Sequence, residues 1–391
     1  MVKQHHQVPI AVFDISSSSV AGAHILLPKG ENVQKTKASV LAHARGHAEL
    51  KEDITIERFV EQTIDQLEKV VTMLKKVDNH KPEYIQVLLA SPWFVSQTRT
   101  ISYKKTVPFS CTQKLIDSLV EKEMQYIMEH DMERFGSFGK DGVVIEKQIS
   151  EIKLNGYSTN NPFGKKTESL ELFLVVTVSP KMIMDRFRDA FGRHYGHTKI
   201  GFTTSPYATY IVARDYLKAP KELMVVDIGE EVTDIAFIKN GIFLYQHSFP
   251  VGSYELYRTF SAHNVSSVTE AEALLETFRL GKISESEKSL IQKSLDTYGL
   301  TWQKAFEEVL STGHYGFSLP THVYIVGDYR FDRFFSNLIK NDPVLIHAAP
   351  ATTPESIFIS QETIGEHITS LENEHIDETI IIATLFTSRL L

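Results

Sequence analysis

The sequence predicts an α/β protein whose two lobes are built on one repeated strand–turn–strand unit. Three observations support this prediction: an internal repeat, an alternation of apolar strand-like segments with amphipathic helical ones, and the composition of a folded domain. The chain has 391 residues, of which 42% are hydrophobic and 23% charged. These values are typical of soluble globular proteins, and the length predicts two or three domains.

Composition also excludes several classes of protein. Cys111 is the single cysteine, which excludes an internal disulfide framework and a cysteine-based zinc site. The formal net charge is −8, which argues against nucleic acid as a partner. No apolar run approaches the ~20 residues that a membrane-spanning helix needs. We therefore expect a cytoplasmic protein with no direct transmembrane segment.

The repeat relates two segments that lie 213 positions apart. In the first segment an apolar strand ends at Asp14, a run of serines follows, and a second apolar strand begins. In the second segment the corresponding strand ends at Asp227, and Gly229 opens the turn before the next strand. An acidic residue at the same register of two buried hairpins is a moderately specific signal. We infer two related lobes.

The remaining elements follow the same α/β alternation. Apolar residues spaced at i, i+3, i+4 and i+7 predict a long amphipathic helix over residues 55–76. Ser179-Pro180 and Ser205-Pro206 each have the N-cap and first-turn proline that begin a helix. Further helices are predicted over residues 115–130, 270–279, 300–311 and 378–390, and strands over 84–90, 170–178 and 323–326.

The two turns are candidate binding elements. A turn of small residues between strands exposes several backbone N–H groups on one side, and such a concavity binds anions. If the lobes close, Asp14 and Asp227 face one another and can hold a hydrated Mg²⁺ that bridges nucleotide phosphates. The hydroxyl groups that can donate to those phosphates belong to Ser16, Ser17, Ser18 and Thr233.

These motifs resemble those of the actin-like ATPase superfamily and, within it, the FtsA family of bacterial cell-division proteins. Residues 14–18 resemble the first phosphate loop, and residues 227–234, with Gly229, resemble the second. Gly327 lies where the superfamily has its adenosine-site turn, and Glu272 lies on a helix that approaches the nucleoside. The resemblance implies ATP bound between the lobes, with Mg²⁺ held through water by the two aspartates.

The resemblance extends over almost the whole chain and implies a two-lobed actin-like fold, a duplicated RNase H-like fold. It also implies an inserted α+β domain of the type called 1C in FtsA-like proteins. The implied boundaries are 1–81 and 180–220 for the first lobe, 82–179 for the inserted domain, 221–256 and 319–391 for the second lobe with a closing helix, and 257–318 for a small second-lobe subdomain.

The function implied by the resemblance is that of a cytoskeletal or scaffold protein of cell division and septum assembly. Such a protein self-associates into dimers or filaments and recruits a tubulin-like partner such as FtsZ. Any enzymatic activity is at most a slow ATPase, because no residue can be named as the base that orients water. The protein is expected in the cytoplasm, at the inner face of the cell membrane through a partner.

Several positions depart from the family pattern and keep two alternatives open. Glu230 and Glu231 occupy the normally Gly-rich second loop, Asp328 replaces a second glycine, and Leu275 lies where a lysine is common. A carboxylate ~5 Å from a phosphate charge costs about 3 kcal/mol at an effective dielectric constant near 20. The alternatives are a PilM-like pilus-assembly scaffold, which binds a membrane protein's cytoplasmic peptide, and a pseudo-ATPase adaptor with a degenerate cleft. A small-molecule kinase of the same superfamily is disfavoured by the inserted domain.

Overall fold

The computed structural model describes residues 7–28, 37–48, 55–132, 141–159, 161–261, 268–312, 318–348, 352–370 and 375–391. Its strands are β1 (Gln7–Ile15), β2 (Ser19–Pro28), β3 (Ala38–His47), β4 (Tyr84–Leu89), β5 (Val95–Ser110), β6 (Gly142–Leu154), β7 (Tyr157–Ser158), β8 (Lys166–Pro180), β9 (Lys199–Thr204), β10 (Leu223–Ile228), β11 (Thr233–Lys239), β12 (Ile242–Phe249), β13 (His322–Val326), β14 (Glu355–Phe358) and β15 (Ile368–Ser370). Its helices are α1 (Ile56–Val77), α2 (Gln113–Tyr126), α3 (Lys181–Tyr195), α4 (Ser205–Tyr216), α5 (Ser253–Ser261), α6 (Val268–Arg279), α7 (Glu285–Thr312), α8 (Asp332–Lys340), α9 (Pro343–Ala348), α10 (Gln361–Ile364) and α11 (Glu378–Leu390).

The strands form three sheets, one for each main unit of the molecule. The first lobe has a six-stranded sheet in the order β15-β3-β2-β1-β4-β9. Strand β4 therefore belongs to the first lobe, and the predicted boundary at residue 82 places the start of the inserted domain one strand too early. The second lobe has a five-stranded sheet in the order β12-β11-β10-β13-β14. The inserted domain has a four-stranded sheet in the order β5-β8-β6-β7. The predicted α/β class with two lobes and an inserted domain is therefore confirmed.

The internal repeat is visible in the hydrogen bonding of the two lobes. Asp14 pairs with Ala21 across β1 and β2, and Asp227 pairs with Asp234 across β10 and β11. Each of these first strands also has a parallel neighbour on its other side, β4 in one lobe and β13 in the other. Equivalent backbone bonds of 3.0 Å close the two turns, from Ser16 N–H to the Ser19 carbonyl and from Gly229 N–H to the Val232 carbonyl.

Two helices, α4 and α11, form the layer between the two lobe sheets. Ala208 and Val212 of α4 and Ile381 and Leu385 of α11 are buried in one cluster with residues of both sheets, such as Val12. On the outer faces, α1 and α3 cover the first sheet, and α5, α7 and α8 cover the second. The central strands β1 and β10 of these mixed sheets are buried on both faces, and the helix layers on the two sides supply that cover.

The inserted domain has its own small core. Leu170, Leu172 and Leu174 of β8 pack with Ile116 and Val120 of α2 on one face of its sheet. Alternate residues of a strand point to the same face, so this spacing of two places a continuous apolar row under the helix. No helix in the described part of the chain is long and apolar enough to cross a membrane.

Four elements differ from their sequence predictions, among them α4, whose N-cap is Thr204 and not Ser205. Helix α7 begins at Glu285 rather than near residue 300, because Ile291, Leu295 and Tyr298 extend its buried stripe toward the N terminus. Helix α2 ends at Tyr126, where a π-helical turn takes over from the predicted α-helix. Ser179 does not cap α3: β8 continues through it, and its hydroxyl donates to the Trp93 carbonyl at 2.7 Å.

The C-terminal segment also contributes to both lobes. The sequence assigns residues 319–391 to the second lobe with a closing helix. In the structure β15 pairs in parallel with β3, and α11 packs on β1, β2, β3 and β4 of the first lobe. The chain therefore returns to the first lobe after β14.

Gly22 permits a close approach that holds the first lobe together. It lies opposite Phe13 in the β1–β2 ladder, and a Cβ atom at position 22 would lie 2.6 Å from the Phe13 ring and 3.0 Å from Val70. Phe13 is fully buried and packs on Phe191 with ring centroids 4.8 Å apart, so the ring has little space to move. We expect Gly22→Ala to lower the free energy of unfolding by about 1–3 kcal/mol.

A matched control is available on α3. A Cβ at Gly192 would meet no atom within 4 Å, so Gly192→Ala should stabilise the helix by up to about 1 kcal/mol. Urea and thermal unfolding of both variants beside the unmodified protein would measure these effects. A Gly22→Ala protein as stable as the parent would show that β1, β2 and α1 are not packed as described.

Candidate functional site

A cavity of about 500 Å³ lies between the two lobes, at the carboxyl ends of β1, β10 and β13. In open α/β sheets this edge is where ligands bind. The predicted nucleotide-site residues that line it are Asp14, Ser16, Asp227, Gly229 and Gly327. The structure therefore brings residues from both copies of the repeat into one cleft.

Four other predicted residues have different positions. Ser17 Oγ accepts a bond of 3.1 Å from the Glu231 N–H of the opposite turn. Ser18 Oγ is buried and has no hydrogen-bond partner among the described residues. Thr233 is fully buried, and its hydroxyl donates to the Val251 carbonyl at 2.7 Å, so its role here is structural. Glu272 lies on α6, and its side chain is outside the described part of the structure.

Glu230 contacts the first turn directly. Its two carboxylate oxygens accept hydrogen bonds from Ser16 Oγ at 2.6 Å and from Ser19 Oγ at 2.5 Å. The serines belong to the first lobe and the carboxylate to the second. The neighbouring Glu231 instead pairs with exposed Arg258 at 2.6 Å. Only the first of these two adjacent acids therefore brings negative charge to the hydroxyls of the predicted phosphate loop.

Arg45 is the central cation of the cleft, and it is not among the site residues predicted from the sequence. Its Nε and Nη2 bind both carboxylate oxygens of Asp377, at 2.5 and 2.9 Å. Its Nη1 donates to Ser19 Oγ, and the guanidinium lies 3.7 Å from both Asp14 and Glu230. The two-point pair with Asp377 fixes the guanidinium plane.

A period-two signal could have identified this residue. His43, Arg45 and His47 alternate along β3 and all line the cavity. Polar residues at every second position of a strand share one face, so a polar row in a largely apolar sheet indicates a cleft. Within the described ranges, no group of three or more His, Cys, Asp or Glu is arranged to hold a metal ion.

The two repeated aspartates are protonated more easily than ordinary ones. Burial raises the pKa of Asp14 to about 7, although the Arg45 guanidinium acts in the opposite direction. Burial, reinforced by the charge of Asp234, raises the pKa of Asp227 to about 8. Ser205 Oγ donates to Asp227 at 2.7 Å. Near neutral pH both carboxyls are therefore partly neutral, which weakens them as ligands of a divalent cation.

The two departures from the family pattern near the predicted nucleoside site, Asp328 and Leu275, have separate structural explanations. Asp328 is bound by Arg330 Nε at 2.8 Å, so its charge is compensated within its own turn. Arg330 Nη2 also lies 3.3 Å from the Tyr257 hydroxyl. Leu275 is 4% exposed and belongs to the second-lobe core, so it does not line the cavity.

A second contact joins the lobes deeper in the cleft. The Ser91 backbone N–H and hydroxyl donate to the two oxygens of Asp234, at 2.9 and 2.6 Å. Ser91 follows β4 of the first lobe, and Asp234 lies on β11 of the second. Burial raises the pKa of Asp234 to about 6. The lobes are thus joined by carboxylates of the second lobe, among them Glu230 and Asp234, that accept hydrogen bonds from serines of the first.

The residues of the cleft do not fit a bound polyphosphate in this arrangement. The hydroxyls of the first turn already donate to Glu230. The carboxyl groups lining the cavity belong to Asp14, Asp227, Glu230, Asp328, Asp377 and Glu378, and the arginines are Arg45 and Arg330. Each arginine is paired with an aspartate, which leaves no unpaired guanidinium among these residues for phosphate oxygens.

The raised pKa of Asp227 gives a testable pH dependence. Between pH 4 and 8 the folded chain retains a proton that the unfolded chain releases, so this carboxyl makes the protein less stable as pH rises. Asp227→Asn removes that effect and keeps an acceptor for Ser205. The melting temperature of the variant relative to the parent should therefore increase from pH 5 to pH 9, by at least about 4 °C.

Exposed Asp65 on α1 supplies the control. Differential scanning calorimetry of Asp65→Asn beside the parent measures how the loss of an exposed carboxylate changes the melting temperature over the same pH range. A constant or decreasing difference for Asp227→Asn would contradict the assigned burial of this carboxyl.

No protein-family model matches this sequence, and no curated protein does so either. Among solved structures, the chain is similar to a chain of the PilM–PilN type IV pilus biogenesis complex. The TM-score is 0.61 at 14% identity, and the match covers 98% of this chain and 99% of that one.

Two more distant similarities are with ethanolamine utilization protein EutJ from Carboxydothermus hydrogenoformans and with a Bacteroides thetaiotaomicron protein that has an actin-like ATPase fold. The first has a TM-score of 0.45 at 13% identity, covering 97% of this chain and 88% of that one. The second has a TM-score of 0.39 at 11% identity, covering 97% and 95%. The duplicated sheets, the two turns and the shared central helices of this chain form a two-lobed actin-like fold with an inserted domain.

Proposed function

We propose that this chain is an actin-fold scaffold protein that acts by binding partner proteins and holds its lobes closed without a nucleotide. The observation that carries the proposal is the position of Glu230, whose carboxylate is bound by Ser16 and Ser19 of the opposite lobe. In an actin-like ATPase the corresponding turn binds phosphate. Here the protein's own side chain takes those donors, which favours the pseudo-ATPase form of the scaffold.

Charge repulsion also disfavours a phosphate beside Glu230. A phosphate oxygen ~5 Å from the Glu230 carboxylate would be repelled by about 3 kcal/mol at an effective dielectric constant near 20. That energy corresponds to more than a hundredfold in affinity. Binding of ATP and Mg²⁺ at Asp14 and Asp227, predicted from the sequence, therefore stays a prediction, and we assign it no catalytic role.

The partner we propose is the cytoplasmic segment of a membrane protein. The support is the similarity to a chain of the PilM–PilN complex, which extends over nearly the whole length of both chains. Such a partner would bring the chain to the inner face of the membrane. The cell-division role, the FtsZ-like partner and self-association into dimers or filaments also stay predictions, and no contact described above favours them.

Peptide binding tests the proposed function. A fluorescein-labelled cytoplasmic peptide of a PilN-type membrane protein from the same organism should bind with a dissociation constant in the micromolar range. Addition of Mg·ATP should leave that constant unchanged, because the lobes are already joined by Glu230. Fluorescence anisotropy measures both, with a scrambled peptide as the control.

An FtsZ-like C-terminal peptide forms the competing arm of the experiment. Binding of that peptide alone would support the division role and overturn the proposal. Binding of neither peptide, together with ATP turnover by the purified chain, would also overturn it in favour of an actin-like ATPase.

A further inference from the structure

We propose that Ser16, Ser19 and Arg45 form an oxyanion site for which Glu230 is the built-in ligand. An external oxyanion, a phosphate or a carboxylate, binds there only when the Glu230 carboxylate leaves. The inference deepens the proposed function, on which its role in regulating the scaffold rests. Its chemistry, however, can be tested separately from partner binding.

The donors of this site are held in place before any ligand arrives. Ser16 and Ser19 are 6% and 2% exposed, and the Ser16 N–H bond to the Ser19 carbonyl closes the turn that carries them. Arg45 donates to Ser19 Oγ from the side, so this hydroxyl directs its own proton toward Glu230. Two hydroxyl donors backed by a guanidinium are a suitable set for a small oxyanion.

The built-in ligand is held just as firmly from the second lobe. The Glu230 carbonyl accepts a bond of 2.8 Å from the Tyr254 N–H at the start of α5. Gly252 packs so closely on the Glu230 backbone that a Cβ there would clash with the carbonyl. Since the backbone on both sides is fixed, little conformational entropy is lost when the carboxylate meets the serines.

An external anion and Glu230 must therefore compete for the same donors. The Ser16 and Ser19 hydroxyls can each donate one proton, and both are used by the two oxygens of Glu230. Arg45 is shared with Asp377. An oxyanion that displaces Glu230 removes a bond between the lobes, so its binding opposes closure of the cleft, whereas a nucleotide in an actin-like ATPase bridges the lobes. The coupling between anion binding and lobe closure is thus negative in this protein, whereas the coupling between nucleotide binding and closure in an actin-like ATPase is positive.

Glu230→Ala in the full chain tests this assignment, with Glu231→Ala as the matched control. The Glu230→Ala protein should melt at least about 4 °C below the control, because buried donors lose their acceptor. Separate titrations with sodium acetate and with inorganic phosphate, at ionic strength held constant with sodium chloride, should restore at least half of that loss in a saturable manner. The parent and Glu231→Ala should show no saturable shift with either anion. The two arms show whether the emptied site prefers a carboxylate or a phosphate.

Glu230→Gln keeps the size of the side chain and provides a second measurement if the alanine variant does not fold. Calorimetry with inorganic phosphate should show binding to Glu230→Gln at least about tenfold tighter than to the parent, because the competing charge is gone. Equal phosphate binding by both would overturn the proposal, as would a Glu230→Ala protein that neither loses stability nor responds to anions. Failure of the partner peptide to bind would leave these anion results unchanged, so the two proposals fail separately.

Discussion

The hydrogen bonds from Ser16 and Ser19 to Glu230 are the contact on which the arrangement of the cleft depends. They join the two turns that the internal repeat places at equivalent strand ends. Arg45 extends the contact to Asp377 at the N-cap of α11, so the central helix layer is fixed by the same group. One chain of polar contacts therefore connects both sheets and the helix between them.

This connection brings many charges into a buried space. Burial pushes the pKa of Asp377 upward, but the Arg45 guanidinium more than compensates and lowers it to about 2. Asp14 lies 3.7 Å from the same guanidinium without a two-point pair, and its pKa rises to about 7. A single arginine cannot compensate three carboxylates. The cleft resolves this excess in part by protonation and in part by the neutral hydroxyl donors of the first turn.

The fold could be predicted well from the sequence because it depends on local patterns, namely the repeated strand–turn unit and the periodicity of apolar residues. Asp14 is the penultimate residue of β1 and Asp227 that of β10, each before an equivalently closed turn, and helix α11 spans the predicted residues 378–390. Of the site, only the residues at or just after the strand ends were predicted. Arg45 and Asp377 are 332 positions apart, and nothing local links them. The inward direction of Glu230 and the outward direction of Glu231 depend on the serines and the arginine that each one meets, which sequence periodicity does not encode.

The return of the chain to the first lobe has a consequence for how this protein is made. The strand β15 and helix α11 complete the first lobe, although β1 to β4 of that lobe are synthesised at the opposite end of the chain. During synthesis on the ribosome, one apolar face of the first sheet therefore stays exposed until α11 emerges. Strand and helix contacts between residues so far apart in sequence slow folding and prolong the exposure of aggregation-prone apolar surface. The cleft is therefore assembled only after the second lobe has been synthesised.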